Sequence, residues 1–208
     1  MKKKETLTIL REIGILLVIT ILAGGLLGLV YAVTKEPIEK AQIKAQTDAC
    51  RRVMTEASEF EEIQKDFAVI SENLFKDSKY SDCTVNTVYT AFDGAHSELG
   101  HVLSVTTNKG YGGDICLFIG FDNASNITGI SITEIHETPG LGMRAGTELT
   151  PEFVGRGALV NEFSYVKNGA VSDSQVEAIS GATITTKAVT NAVNAAMYFD
   201  KNELKGGM

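Results

Sequence analysis

Two short stretches hold residue types from which chemistry can be built. The first is Ser180-Gly181-Ala182-Thr183-Ile184-Thr185, a hydroxyl-rich turn that opens the last helical pattern of the chain. Free N–H groups and the macrodipole stabilise an anion at a helix start. Gly181 and Ala182 remove bulk there, so a large group can sit against the turn, and Thr183 and Thr185 offer hydroxyls to it. Taken alone, the hexamer reads better as a hydroxyl-rich cap, with Thr185 or Thr186 as the capping residue. The second stretch is His136-Glu137-Thr138-Pro139-Gly140-Leu141-Gly142, directly after a strand pattern. Pro139 fixes φ while Gly140 and Gly142 permit unusual backbone, so main-chain N–H groups can approach a flat ligand or a phosphate. Other chemistry is poorly served. No GxGxxG follows a strand, no GxSxG is present, and the three histidines (His96, His101, His136) lack metal-ligand spacing. Cys50, Cys83 and Cys116 are widely and irregularly spaced, which argues against zinc or iron–sulfur ligation and leaves a Cys83–Cys116 disulfide open.

The elements that must position these stretches follow from periodicity. Ala188, Val189, Ala192, Val193, Ala196 and Met197 form one apolar face, predicting a helix over 186–201. Before it, 85–92, 101–107, 114–121 and 127–135 are β-branched or aromatic and roughly alternating. Asp93-Gly94, Lys109-Gly110, Gly112-Gly113 and Asp122-Asn123 separate them. Connections that short predict an antiparallel sheet. A short helix or turn is expected over 151–157 and a strand over 163–166. The reading is an α+β fold.

A different solvent is written into the N-terminus. Residues 13–33 run without a charge, long enough at 1.5 Å per residue to cross about 30 Å of hydrocarbon. The run exceeds a signal-peptide core and no A-x-A site follows, so it reads as an uncleaved transmembrane helix. Lys2, Lys3, Lys4 and Arg11 precede it, which keeps residues 1–12 cytoplasmic and sends the C-terminal domain out of the cytoplasm. Pro37 is expected to interrupt the helix. Periodicity resumes from Ile38 to about Ser58, with Ile38, Ala41, Ala45, Ala49 and Val53 on one face. Residues 34–82 then form a helical connector and 83–208 the ligand-binding domain. Beyond residue 34 the chain has 15 basic and 24 acidic residues, a balance that repels phosphate backbones and excludes nucleic acid as a partner.

The sequence VEAISGATIT, the upstream ETPGLG and the TKEPI that leaves the N-terminal apolar run together resemble the FMN-binding domain family. Within it they resemble most closely the G-subunit branch of Rnf electron-transport complexes. The resemblance implies an extracytoplasmic domain on one transmembrane helix, with a mainly antiparallel sheet packed by helices. It implies FMN bound covalently, through a phosphoester made by a flavin transferase from FAD, to Thr183, with Thr185 in reserve. Ser180, Gly181, Ala182 and Thr185 would then surround the attachment. Glu137, Thr138, Pro139, Gly140, Leu141 and Gly142 would line the flavin. Where the family often has Asp three residues before the Ser, this chain has Glu177. The implied role is electron relay in a membrane-bound ferredoxin:NAD⁺ oxidoreductase coupled to Na⁺ or H⁺ movement. Its partners would be the other proteins of the complex, the transferase and the lipid bilayer. No catalytic acid or base and no metal is expected. The alternatives are the C-subunit branch of Na⁺-translocating NADH:quinone reductases, a stand-alone anchored flavoprotein, or an ectodomain without flavin.

Overall fold

The computed structural model describes residues 2–206, with side chains from residue 12 onward except at residue 39. The cationic side chains of Lys2, Lys3, Lys4 and Arg11 lie outside the described residues. Helix α1 spans Lys2–Val53. Pro37 lies inside it and does not end it, so the expected break and separate second helix are replaced by one continuous helix. Proline removes a single ladder bond and leaves the turns on either side intact. The Glu36–Lys40 pair (2.6 Å) spans the position. The chain divides into two compact units, 1–46 and 47–208. The first is helix alone. Its most apolar window has a mean hydropathy of 2.7, long and apolar enough to cross a membrane by length and composition.

The second unit is built on a sheet. Among the described residues, β1 (Glu59–Glu62), β2 (Cys83–Phe92), β3 (Glu98–Thr107), β4 (Ile115–Asp122) and β5 (Ile127–Ile135) form an antiparallel meander in chain order. Helices α2 (Phe67–Phe75) and α3 (Thr183–Phe199) cover one face. There Leu103, Val105, Leu117 and Ile119 pack with Val189, Val193, Phe75 and Phe199, all fully buried. The other face carries Tyr89, Val102 and Phe118 under Ala49, Cys50 and Val53 from the last turns of α1. Only those last turns of the expected apolar stripe are buried; Ile38, Ala41 and Ala45 are exposed. Thr128 Oγ1 donates to Val53 O (2.6 Å) and fixes the end of α1 to β5.

Two elements of the expected connector 34–82 belong to the folded unit, which begins at Thr47. Strand β1 pairs with β2 from Glu59↔Phe92 to Glu62↔Tyr89, and α2 starts at Asp66, whose side chain accepts from Val69 N (3.2 Å). The sequence hides β1 because an edge strand needs little burial, and its residues are Glu-Phe-Glu-Glu. A parallel pair, β6 (Ser164–Val166) and β7 (Gln175–Glu177), flanks α3, and the sequence pattern shows only the first of the two. Cys83 pairs with Thr107 and Cys116 with Thr106, neighbours on β3 that point to opposite faces. The disulfide left open by the sequence is therefore absent, and all three thiols are free. Burial pushes Cys83 up to about 11 and Cys50 up to about 12.

At the C-terminal end of α3, Asp200 is fully buried and accepts from Ser125 Oγ (2.7 Å). Lys205 Nζ stands 3.7 Å from that carboxylate and donates to Asp122 O, Asn123 O and Ser125 Oγ. His101 on β3 lies in the same field. Desolvation lowers its pKa from 6.5, against the opposing pull of Asp200 and Glu98.

Candidate functional site

Helix α3 begins at Thr183, earlier than its apolar periodicity predicts. Its first internal bond runs from Thr186 N–H to Ala182 O (2.9 Å), so the amides of Thr183, Ile184 and Thr185 are the orphan donors of the first turn. The capping position is Ala182, which has no side chain to satisfy them. Neither expected capping threonine does so. Thr186 Oγ1 instead donates to Ala182 O (3.0 Å) and accepts from Ile179 N (3.1 Å), which pins the preceding turn. A helix start with orphan donors and no side-chain acceptor at its cap suits an anion such as a phosphate.

The two threonines of interest are in opposite situations. Thr183 is exposed. Thr185 is buried, at 1% exposure, and its hydroxyl donates to Glu137 Oε2 (2.8 Å). That bond brings the two sequence stretches together. Glu137 is itself buried, and its other oxygen accepts from Tyr111 N (2.6 Å) and Gly112 N (3.2 Å). One carboxylate therefore ties the 110–113 turn, the loop after β5 and the start of α3. Gly142 completes the junction: a Cβ there would sit 2.6 Å from both Glu137 Oε2 and Thr185 Oγ1.

The remaining residues form the outer edge of this junction. Thr138, Pro139 and Gly140 are exposed, and Thr138 O accepts from Leu141 N (3.1 Å) to close the turn. Leu141 is partly exposed and lies over Gly181, whose φ of +79° is ordinary only for glycine. Ser180 is exposed and Ala182 is buried. Glu177 is committed elsewhere: its carboxylate accepts from Gly169 N (2.9 Å) and Ala170 N (3.3 Å). The extra methylene relative to Asp gives it the reach to hold that loop. Among the described residues, no group of three or more His, Cys, Asp or Glu is arranged to hold a metal ion.

Two features escape the sequence. One is the pair of backbone donors at Tyr111 and Gly112, visible there only as a glycine-rich turn. The other is a groove of about 630 Å³ along the outer side of α3, lined by Tyr165, Ile184, Lys187, Thr190, Asn191 and neighbouring residues.

Against known proteins, the FMN-binding domain family matches residues 110–198, which contain both stretches. The G subunit of the Na⁺-translocating ferredoxin:NAD⁺ oxidoreductase complex of Acetobacterium woodii is 31% identical over 190 residues, 90% of this chain and 89% of that one. The G subunit of the ion-translocating oxidoreductase complex of Methanosarcina acetivorans is 32% identical over 194 residues, 92% and 94% of the two chains. Among solved structures, the C subunit of the Na⁺-translocating NADH-quinone reductase of Parabacteroides distasonis superposes with a TM-score of 0.49. It is 19% identical, over 70% of this chain and 77% of that one.

Proposed function

Since the chain belongs to the G-subunit family of ion-translocating oxidoreductase complexes, we propose that it is the flavin-bearing electron-transfer member of such a complex. It relays electrons within a membrane-bound ferredoxin:NAD⁺ oxidoreductase coupled to Na⁺ or H⁺ movement. FMN is esterified through its phosphate to Thr183. The flavin supplies the redox chemistry, and the protein supplies attachment, orientation and electrostatics.

One observation carries the choice of residue. Thr183 is exposed at an uncapped helix start, while Thr185 is buried and bonded to Glu137. A transferase needs a free hydroxyl, and a phosphodiester on Thr183 lies against the orphan amides of Thr183, Ile184 and Thr185. Ser180 and Gly181 leave space beside it. Glu137 and Gly142 brace the turn from behind, Pro139 lies on the exposed outer edge, and Leu141 offers the flavin an apolar edge. The partners are the other proteins of the complex, a flavin transferase for maturation and the bilayer around residues 13–33. The N-terminus is cytoplasmic and residues 47–208 are extracytoplasmic.

The test is a denaturing gel of membranes from the native host, viewed under ultraviolet light. The wild-type band and Thr185→Ala fluoresce, and Thr183→Ala is dark. A dark wild-type band removes the covalent flavin; a bright Thr183→Ala band with a dark Thr185→Ala band moves the attachment.

A further inference from the structure

The polar cluster at the C-terminal end of α3 stands about 25 Å along the helix axis from Thr183 and takes no part in that site. His101 lies opposite Phe121 in the β3–β4 register and two residues before Leu103, so it points to the face that α3 covers. Asp200 follows directly on α3 and is fully buried. Each has a buried atom, His101 Nδ1 and Asp200 Oδ1, with no hydrogen-bond partner among the described residues. Two unsatisfied polar atoms in one buried cluster mark a place where a bond is still to be made.

The other atoms of the cluster are committed. Asp200 Oδ2 accepts from Ser125 Oγ (2.7 Å) and faces Lys205 Nζ at 3.7 Å. Lys205 Nζ also donates to Asp122 O (3.0 Å), Asn123 O (2.9 Å) and Ser125 Oγ (2.8 Å), and Lys201 Nζ donates to Val160 O (3.1 Å). Residues 200–205 are thereby clamped on the turn between β4 and β5. His101 Nε2 is 3.8 Å from Glu98 Oε1. The Asp122 carboxylate is taken by Ala124 N, Asn126 N and Asn126 Nδ2, and α2 buries only Phe67, Ser71 and Phe75. The charges that act on His101 are therefore those of Asp200, Glu98 and Lys205.

A neutral imidazole donates from one nitrogen, whereas an imidazolium donates from both. With two carboxylates as its attracting neighbours, the ring is arranged for the second form. Desolvation keeps the proton off, and Lys205 adds to that effect while Asp200 and Glu98 oppose it. Lys205 and a proton on His101 thus compete for one carboxylate. Such coupling is reciprocal: by whatever factor Lys205 weakens proton binding at His101, that proton weakens the hold on Lys205.

We propose that His101 and Asp200 form a proton-binding site, and that loading it turns Asp200 from Lys205 to the imidazolium and releases the 200–205 clamp. In the loaded state His101 Nδ1–H donates to Asp200 Oδ1, and Lys205, left with neutral acceptors beside a second cation, moves into solvent. The folded state favours neutral His101, so the clamp is closed at higher pH and opens as pH falls through the histidine titration. This device stands whether or not Thr183 carries a flavin.

The experiment uses the full chain purified in detergent. Hydrogen–deuterium exchange of residues 201–205, corrected for the intrinsic effect of pH, is read by mass spectrometry at about pH 7.5 and about pH 5. Protection in the wild type falls about tenfold or more on acidification, and in His101→Gln, which binds no proton there, it stays constant. Constant protection in the wild type, or an equal fall in His101→Gln, overturns the proposal. Competition is tested separately by following the His101 imidazole with NMR in Lys205→Met. Its titration midpoint rises by about half a pH unit or more; an unchanged or lower midpoint overturns the exchange of partners.

Discussion

At the scale of single residues, the carboxylate of Glu137 is the most heavily committed group in the site. It accepts from two backbone amides and one threonine hydroxyl while 6% exposed. Glu137→Ala strands all three donors. We expect it to destabilise the fold by about 1–3 kcal/mol, from the cost of unsatisfied buried groups. Chemical denaturation followed by circular dichroism checks this, and an unchanged midpoint would show the network to be dispensable. Loss of covalent flavin should accompany the loss of stability, because the same bonds hold the start of α3. The sequence shows Glu137 only as the first letter of a glycine-rich loop. Its three partners come from 26 and 25 residues upstream and 48 downstream, a convergence no local pattern displays. Spacing and residue type treat the hydroxyls of Thr183 and Thr185 alike; the family resemblance ranks Thr183 first, and burial then distinguishes the two.

At the scale of elements, periodicity reads most truly where it has a core to face. The four central strands and α3 show themselves because alternation or a continuous apolar face is needed to cover the sheet. β1 and β7 do not: both are too short for alternation to show, and β1 also buries little area. Pro37 misleads for the opposite reason, because a strong local signal is overridden by the helix continuing on both sides of it. The far end of α3 yields a prediction about pH. His101 has a lowered pKa in the folded state, so the fold favours its neutral form. The unfolded chain binds that proton near pH 6.5 and the folded chain resists it, so stability rises with pH through this window and is lost as pH falls below it. Melting temperatures of residues 47–208 in the full chain should drop between pH 7.5 and 5.5, and His101→Gln should flatten the slope. An identical slope in the variant would assign the dependence to other groups.

At the scale of the whole molecule, the two compact units differ sharply in composition. Residues 13–33 are apolar and exposed, whereas the second unit is acidic and folds around its own sheet. Protease added to intact spheroplasts should therefore digest residues 47–208; complete protection of the domain would reverse the proposed orientation. The uncapped start of α3 bears on how the protein is made. The first turn of α3 at Thr183 has no side-chain acceptor at its cap. On the proposed attachment, esterification of Thr183 would supply one, so maturation would finish a piece of folding as well as load a cofactor. The hydroxyl would be presented only after Glu137 has drawn the distant segments together, which would make a correctly folded chain the substrate of the proposed transferase.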